Sequence, residues 1–376
     1  MIIPEDIQYM RRAIASARKA WPAPNPRVGA LVVKNGKVVG RGRHQKAGEP
    51  HAEVLALKQA AARAKGATLY ITLEPCCHQG KTGPCVDAVL QAGVARVVAG
   101  CVDPNPVVAG KGLARLREQG VQVVCPVLPD ECARLIAGHA KFVTTGLPYL
   151  TYKYAMTLDG KVATSSGKSR WITGEAARKE VHKMRRDSDA VIVGLGTALA
   201  DDPELTVRHV SAGRQPLRVI LDSFARLSPS SALFSALGGD VVVISSDEAP
   251  EENLKALQAV GARILCCGSK RVNLRLAMEK LAVDFEVREA LLEGGPDAAA
   301  SALEAGLVDE VVAFIAGKIF GGAAAPGPIG GDGVLTPDDA YHLEIKRIRK
   351  TGEDYAVYSR VFYPLSEADP GNSAQL

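Results

Sequence analysis

Four residues in one short stretch can carry hydrolytic chemistry: His51, Glu53, Cys76 and Cys85. One imidazole and two thiolates fill three positions of a tetrahedral zinc ion and leave the fourth open to water, which is what separates a catalytic zinc from a structural one. The metal lowers the pKa of such a water toward about 7, so a nucleophile is available at neutral pH. Protons must then travel between the water and a leaving group, and Glu53, two residues beyond His51, is the carboxylate placed to carry them. The alternative is a closed structural site, with Cys77 or His78 as a fourth ligand. Such a site needs neither Glu53 nor a strand leading into Pro75.

The elements around these residues are legible. A helix over 51–65 holds His51 in its first turn. A strand over 67–73 delivers Glu74-Pro75-Cys76 at its end, and Cys85 opens a helix over 85–92. Ligands at two helix starts suit an anionic thiolate near a positive dipole end. Upstream, Ile7, Met10, Ile14 and Ala17 share one face of a helix over 4–20, which Pro22, Pro24 and Pro26 end. Asn35-Gly36 joins strands 28–33 and 37–42 in a hairpin. Downstream come a strand over 94–101, the turns D-P-N-P and Gly-Lys-Gly, a helix to 119, a strand from 121 and a helix over 130–142. Strands alternating with helices predict a mostly parallel sheet between helical layers.

The chain of 376 residues is too long for one core, and its charge of +5 is modest. The boundary falls near Thr145-Gly146-Leu147-Pro148, giving domains 1–146 and 147–376. The N-terminus has acidic residues where a secretory signal needs basic ones, and no apolar run approaches the roughly 18 residues of a membrane span. A cytoplasmic location follows as the expectation, with the eight cysteines as thiols rather than a disulfide framework. Low complexity is confined to 321–333 and the tail after 364.

In the second half a strand over 149–156 turns at Asp159-Gly160. Thr173 reads as the N-cap of a helix to 187. Strands follow at 189–193 and 217–222, and strand–helix pairs begin near 240, 262 and 288. Glu293-Gly294-Gly295-Pro296 joins the last strand to its helix, where free N–H groups and close backbone approach suit nucleotide phosphates. Gly194-Leu195-Gly196 lacks the third glycine of G-x-G-x-x-G, so the Rossmann fingerprint is absent.

H-A-E at 51–53, with E-P-C and a later P-C, matches the arrangement of zinc nucleobase deaminases, in which the Glu is not a ligand. Eight residues separate Cys76 from Cys85. That long spacing, with its basic Gly-containing loop, resembles the deaminase half of the bifunctional deaminase/reductase family of riboflavin biosynthesis. The family has Ser where Cys77 stands and His where Leu55 stands; neither is a ligand in its pattern. K-Y-A-M-T-L-D-G-K, S-R-W-I-T, L-A-D-D-P-E-L-T-V-R, L-D-S and L-L-E-G-G-P, in that order, resemble the reductase half. The resemblance runs from about 6 to 362.

It implies an α/β chain: an N-terminal zinc cytidine-deaminase-like α/β/α sandwich and a C-terminal dihydrofolate-reductase-like α/β domain that uses NADPH. His51, Cys76 and Cys85 would hold zinc and Glu53 would shuttle protons. Asn25, His44 and Lys81 would belong to the deaminase pocket. Ala155, Trp171, Thr197, Asp201, Ser223 and Gly295 would contact the nicotinamide nucleotide. Ser169, Arg185, Leu205, Arg208 and Glu293 would contact the substrate; Arg185 and Arg208 suit its phosphate through charge-assisted forks. Lys153 is an acid–base candidate by position. The implied sequence of reactions is removal of an amine from a diaminopyrimidinone ribosylamino phosphate, then reduction of its ribosyl group to ribityl. Expected partners are this phosphorylated pyrimidine and further copies of the chain, with neither nucleic acid nor membrane. Two other readings stay open: a nucleoside or tRNA-base deaminase with a C-terminal binding module, and a nucleotide-binding regulator with a structural zinc. Aromatic residues make up only 5% of the chain, few for a nucleic-acid stacking surface.

Overall fold

The computed structural model describes residues 1–79 and 83–364. It divides into two compact units: Met1–Pro148 with Glu286–Arg288, and Tyr149–Phe285 with the chain from Glu289 onward.

The first unit contains α1 (Pro4–Ala17), β1 (Gly29–Lys34), β2 (Lys37–Arg43), α2 (Ala52–Ala60), β3 (Thr68–Leu73), α3 (Cys85–Gln91), β4 (Arg96–Cys101), α4 (Lys111–Glu118), β5 (Gln122–Val124), α5 (Pro129–Leu135) and α6 (Ala137–Thr145). The sheet order is β2-β1-β3-β4-β5. It is mixed rather than mostly parallel: β1 runs antiparallel to both neighbours, and only β3, β4 and β5 are parallel. Asn35 and Gly36 both have positive φ, as a two-residue hairpin turn requires. Helices cover both faces, α1 and α5 on one, α2 and α3 on the other. Glycines set how close they come. A Cβ on Gly29 would lie 2.2 Å from the Ala13 carbonyl, and one on Gly42 would lie 1.9 Å from that of Ala52. The two glycines therefore let α1 and α2 lie directly on the hairpin, and α2 is the helix that His51 opens.

Three helical boundaries differ from those read in the sequence. The regular helix after His51 stops at Ala60, because Ala61 takes φ +51°, and continues as a 3-10 turn, Ala61–Ala64. The span 130–142 is two helices, broken where Ile136 leaves helical geometry (φ −115°, ψ 13°). The N-cap at 173–174 is Gly174 rather than Thr173: the Asp354 carboxylate accepts the Gly174 N–H at 2.7 Å, which moves the cap one residue on.

The second unit contains β6 (Tyr149–Thr157), α7 (Glu175–Arg186), β7 (Ala190–Gly194), α8 (Leu195–Asp201), β8 (Leu217–Leu221), α9 (Ala232–Ser235), β9 (Val241–Ser245), α10 (Glu251–Ala259), β10 (Arg263–Cys266), α11 (Leu274–Asp284), β11 (Glu289–Leu292), α12 (Pro296–Glu304), β12 (Val308–Ala316), β13 (His342–Thr351) and β14 (Asp354–Phe362). The sheet order is β10-β9-β8-β7-β11-β6-β12-β14-β13. Strands β10 to β12 in that order are parallel; β14 and β13 are antiparallel additions. Runs such as Val241–Ser245, buried at every position, are what a strand covered on both faces looks like. The chain winds from β6 out to β10, then returns to insert β11 between β7 and β6. Such a reversal of strand order is a topological switch point, and open α/β sheets bind ligands beyond the carboxyl ends of the strands at such points. No described helix is long and apolar enough to cross a membrane.

Candidate active sites

In the first unit β3 ends at Leu73 and releases Glu74-Pro75-Cys76, α3 begins at Cys85, and His51 is the extended residue that caps α2. The ligand atoms of His51, Cys76 and Cys85 lie within 4.8 Å of one another, and among the described residues no fourth His, Cys, Asp or Glu joins them. His51 turns Nδ1 toward both sulfurs, at 3.1 Å from Cys85 Sγ and 3.7 Å from Cys76 Sγ. The Cys85 backbone N–H donates to Cys76 Sγ at 3.4 Å. The Cys76 thiol is drawn down to about 4, by its hydrogen bond with Cys85 above all, and that of Cys85 is pushed up by the same bond. A cation bound here would take the place of the thiol protons. The donor set of one imidazole and two thiolates fits zinc. Cys77 packs against the core instead, which disposes of the closest rival sulfur.

Glu53 is buried, 3% exposed, on the first turn of α2. Burial raises its pKa, with the Cys85 thiol as a hydrogen-bonding neighbour, so the carboxyl is disposed to hold a proton. Asn25 and His44 stand alongside. Asn25 Nδ2 lies 2.9 Å from His44 Nε2, and His44 Nδ1 lies 3.3 Å from the Pro50 carbonyl. Asn25 therefore donates to a neutral ring protonated on Nδ1, and burial lowers the pKa of that ring. The ring stands edge-on to His51, 5.0 Å between centroids. Lys81 lies outside the described residues.

Glu74 has a role that sequence reading missed. Its carboxylate, 3% exposed, accepts four backbone N–H groups: Asp103 at 3.1 Å and Gly110 at 2.8 Å on Oε2, Gly112 at 2.9 Å and Leu113 at 3.2 Å on Oε1. It ties the turn carrying Cys76 to the loop after β4 and the start of α4. The signal was available: an acidic residue at the end of an apolar strand must find donors.

In the second unit the expected residues lie on β6, α7 and α8 and in the segments that follow β6, α8, β8 and β11. Arg185 on α7 grips Glu293 in a fork, Nε to Oε1 at 2.5 Å and Nη2 to Oε2 at 2.9 Å, and donates through Nη1 to the Thr206 carbonyl at 3.0 Å. The pair is 12% and 7% exposed. Burial opposes the charge on Glu293, but Arg185 and then Lys153 outweigh it and hold the carboxyl below its ordinary value. Lys153 of β6 is the third member. Burial, aided by Arg185, lowers its pKa toward the neutral form.

Arg208 is ion-paired with Glu204 at 2.6 Å and half exposed. Its backbone N–H donates to His182 Nδ1 at 3.3 Å. His182, not singled out in the sequence, is buried beside Arg185, His209 and Arg208; burial first and the Arg185 guanidinium second lower its pKa to about 4. The Leu205 side chain is 2% exposed and lies in the core with Val193 and Ile220, so its backbone, in the left-handed region at φ +54°, is what it offers a ligand.

Ser169 Oγ donates to Asp201 Oδ1 at 3.1 Å, and Arg170 donates to the Asp201 carbonyl. Trp171 is 63% exposed, with the Arg178 guanidinium 4.6 Å from its ring centroid. Thr197 of α8 faces Gly294, and Gly295 lies against Gly194, so the loops leaving β7 and β11 meet. Gly294 and Gly295 take φ +90° and +86°, which strains any other residue. Ser223 follows β8, where its hydroxyl accepts the Val272 N–H at 3.1 Å. Ala155, near the carboxyl end of β6, packs partly buried beside Val312 and Phe314.

Comparisons with known proteins cover both units. Residues 4–101 match the cytidine and deoxycytidylate deaminase zinc-binding region, and residues 148–357 match the RibD C-terminal domain. Riboflavin biosynthesis protein RibD of Aquifex aeolicus is 42% identical over 360 residues, 95% of this chain and 99% of that one. The Escherichia coli protein of the same name is 39% identical over 94% of this chain and 99% of that one. Among solved structures, a diaminohydroxyphosphoribosylaminopyrimidine deaminase/5-amino-6-(5-phosphoribosylamino)uracil reductase from Thermotoga maritima superposes with a TM-score of 0.80 at 34% identity, covering 95% of this chain and 99% of that one. Acinetobacter baumannii RibD gives 0.82 at 36% identity with the same coverage. With this identity sustained across both units, the chain belongs to the RibD family of riboflavin biosynthesis proteins.

Proposed function

We infer that the chain is the bifunctional deaminase and reductase of riboflavin biosynthesis. It removes the amine of 2,5-diamino-6-ribosylamino-4(3H)-pyrimidinone 5′-phosphate, then reduces the ribosyl group of 5-amino-6-(5-phosphoribosylamino)uracil to ribityl. Its cofactors are zinc and NADPH. The observation that carries the reading is the triad of His51 Nδ1, Cys76 and Cys85 with a buried carboxyl beside it.

In the first step His51, Cys76 and Cys85 hold the zinc, which when bound supplies the Lewis acidity that makes a water nucleophilic at neutral pH. Glu53 takes a proton from the attacking water and gives it to the ring nitrogen, then takes the second from the added hydroxyl as the carbonyl forms and gives it to the departing ammonia. Asn25 and His44 line the pocket and orient the pyrimidine, His44 as a neutral ring. Lys81 offers positive charge to the substrate phosphate.

In the second step NADPH supplies the hydride. Thr197, Asp201, Ser223, Gly295, Trp171 and Ala155 bind the nucleotide, with the Gly294-Gly295 turn and the start of α12 receiving a phosphate. Arg208 and Ser169 hold the substrate, with the Leu205 backbone. The Arg185–Glu293 fork fixes both side chains at its edge and keeps Lys153 beside a carboxylate. Lys153, biased toward losing its proton, is the acid–base group of this step.

Glu53→Ala in the full chain tests the assignment. Deamination should vanish while zinc content and NADPH oxidation with the deaminated intermediate persist. Deamination that survives would remove Glu53 from the mechanism, and absent NADPH turnover would return the second unit to a binding module.

We also propose a cytoplasmic homo-oligomer. All eight cysteines are free thiols, as a reducing compartment favours. Strand β13 is a long sheet edge, and the irregularity between Ile345 and Arg347 brings Leu343, Ile345 and Ile348 onto one face, 39%, 58% and 60% exposed. A second copy would cover that row. Light scattering on Ile345→Lys/Ile348→Lys should report a smaller species than the native chain, and an unchanged mass would refute the contact.

A further inference from the structure

The first unit carries a groove of about 670 Å³ that the deamination chemistry does not use. One wall is the end of α1, with Arg12 and Ser16 one turn apart on one face and Lys19 in the turn that follows the helix. The floor is β2, where Arg41 and Arg43 pair with Leu31 and Gly29 and so share the α1 side of the sheet. Lys58 completes the rim from α2.

Five cationic side chains thus line one concavity with no acidic residue among its lining. Among the described residues none of the five makes an ion pair, although Arg96, Arg115 and Arg349 are paired elsewhere. Cations on a flat surface are usually just solvated. Here two walls converge their charges on one volume, which raises the local concentration of anions.

The shape narrows the ligand. Strand β2 is the sheet edge, yet two groups at its centre are taken: the Arg41 N–H donates to Gln59 Oε1 at 2.6 Å, and Arg63 donates to the Val39 carbonyl at 3.2 Å. Side chains therefore close the edge to an added strand. No aromatic residue lines the groove, so it has no platform for stacked bases. A volume of about 670 Å³ with five cations around it is larger than one phosphate fills.

We propose that this groove binds a small anion carrying two or more phosphate groups. The site adjoins the deaminase pocket in sequence: β2 runs through Arg41 and Arg43 into His44, the partner of Asn25.

Titration calorimetry of the zinc-loaded full chain with inorganic tripolyphosphate tests this. The native protein should take up one equivalent more than Arg41→Glu/Lys58→Glu, or bind it at least about tenfold more tightly, since two charge-assisted contacts are reversed. Both residues are exposed and outside the catalytic site, so unchanged zinc content and deamination rate certify the fold; Arg41→Gln/Lys58→Gln serves if the reversal disturbs it. Equal uptake by native and altered protein would overturn the proposal. So would orthophosphate binding as tightly as tripolyphosphate, or short single-stranded RNA outcompeting it with the same dependence on Arg41 and Lys58.

Discussion

The two candidate sites draw on very different reaches of chain. The zinc triad and Glu53 come from one helix start, one strand end and a second helix start, all between His51 and Cys85. The reductase crevice is gathered from β6, α7, α8 and β11, and its central ion pair joins residues 108 apart in sequence. The difference follows from the chemistry. A metal needs a few donor atoms at fixed distances, which a short strand–turn–helix unit can supply. A dinucleotide and a sugar phosphate need an extended surface, and only the ends of several parallel strands provide one.

If the contrast holds, damage to the first site should be chemical and confined, whereas damage to the second should be cooperative. Glu53→Gln is the sharpest probe. Removing a general acid–base typically costs about 10²–10⁴-fold, so deamination should fall by that much with the reductase rate untouched. A parallel loss of both rates would show that the units do not work independently.

Arg185→Met should hurt the second unit most. It leaves Glu293 buried with its forked partner gone, and breaking a buried pair costs about 3–5 kcal/mol. Thermal unfolding together with the substrate KM should register it, and Arg185→Met/Glu293→Leu should recover stability without recovering activity. Recovery of both would reduce the pair to scaffolding.

Glu74→Gln preserves shape but turns an amide toward N–H donors that a carboxylate accepted. Each unsatisfied buried group costs about 1–3 kcal/mol, so weaker zinc retention and a lower midpoint for the first unit are expected, with reductase turnover unchanged. Zinc retention also has a pH arm. The hydrogen bond with Cys76 raises the His51 pKa, so protons compete for this imidazole at higher pH than for an ordinary one. Zinc affinity should therefore decline as pH falls toward and through that raised value; a competition titration showing no pH dependence would contradict it.

The smallest effect belongs to His182. Its pKa falls from 6.5 to about 4, so the unfolded chain binds its proton more readily. Stability from this residue is present above about pH 6.5 and is lost progressively down to about pH 4. His182→Asn should flatten that part of the stability curve relative to the native protein, and identical curves would show the ring to be exposed in solution.

Much of the first site was legible because its ligands are close in sequence and its residue types are rare: His, Glu and two Cys at motif spacing have few other uses. The strand into Pro75 and the helix from Cys85 followed from apolar runs and turn residues. The C-terminal hairpin of β13 and β14 escaped notice, since alternating charged and apolar residues at an exposed edge resemble a solvated segment. The shifted cap at Gly174 escaped for a different reason: it depends on a partner distant in sequence, where Asp354 outcompeted a local Thr173.

Residue types and their order were enough to read a zinc chemistry in the first half, because a ligand set at motif spacing is a local property, while the NADPH chemistry of the second half rested on the resemblance of its ordered motifs. Only the tertiary structure decided which nitrogen of His51 faces the sulfurs, that Glu74 clasps four backbone amides, that Arg185 and Glu293 neutralise each other next to Lys153, and that five cations converge on one groove. Each of these depends on through-space distance and on exclusion of water, and a one-dimensional pattern carries neither.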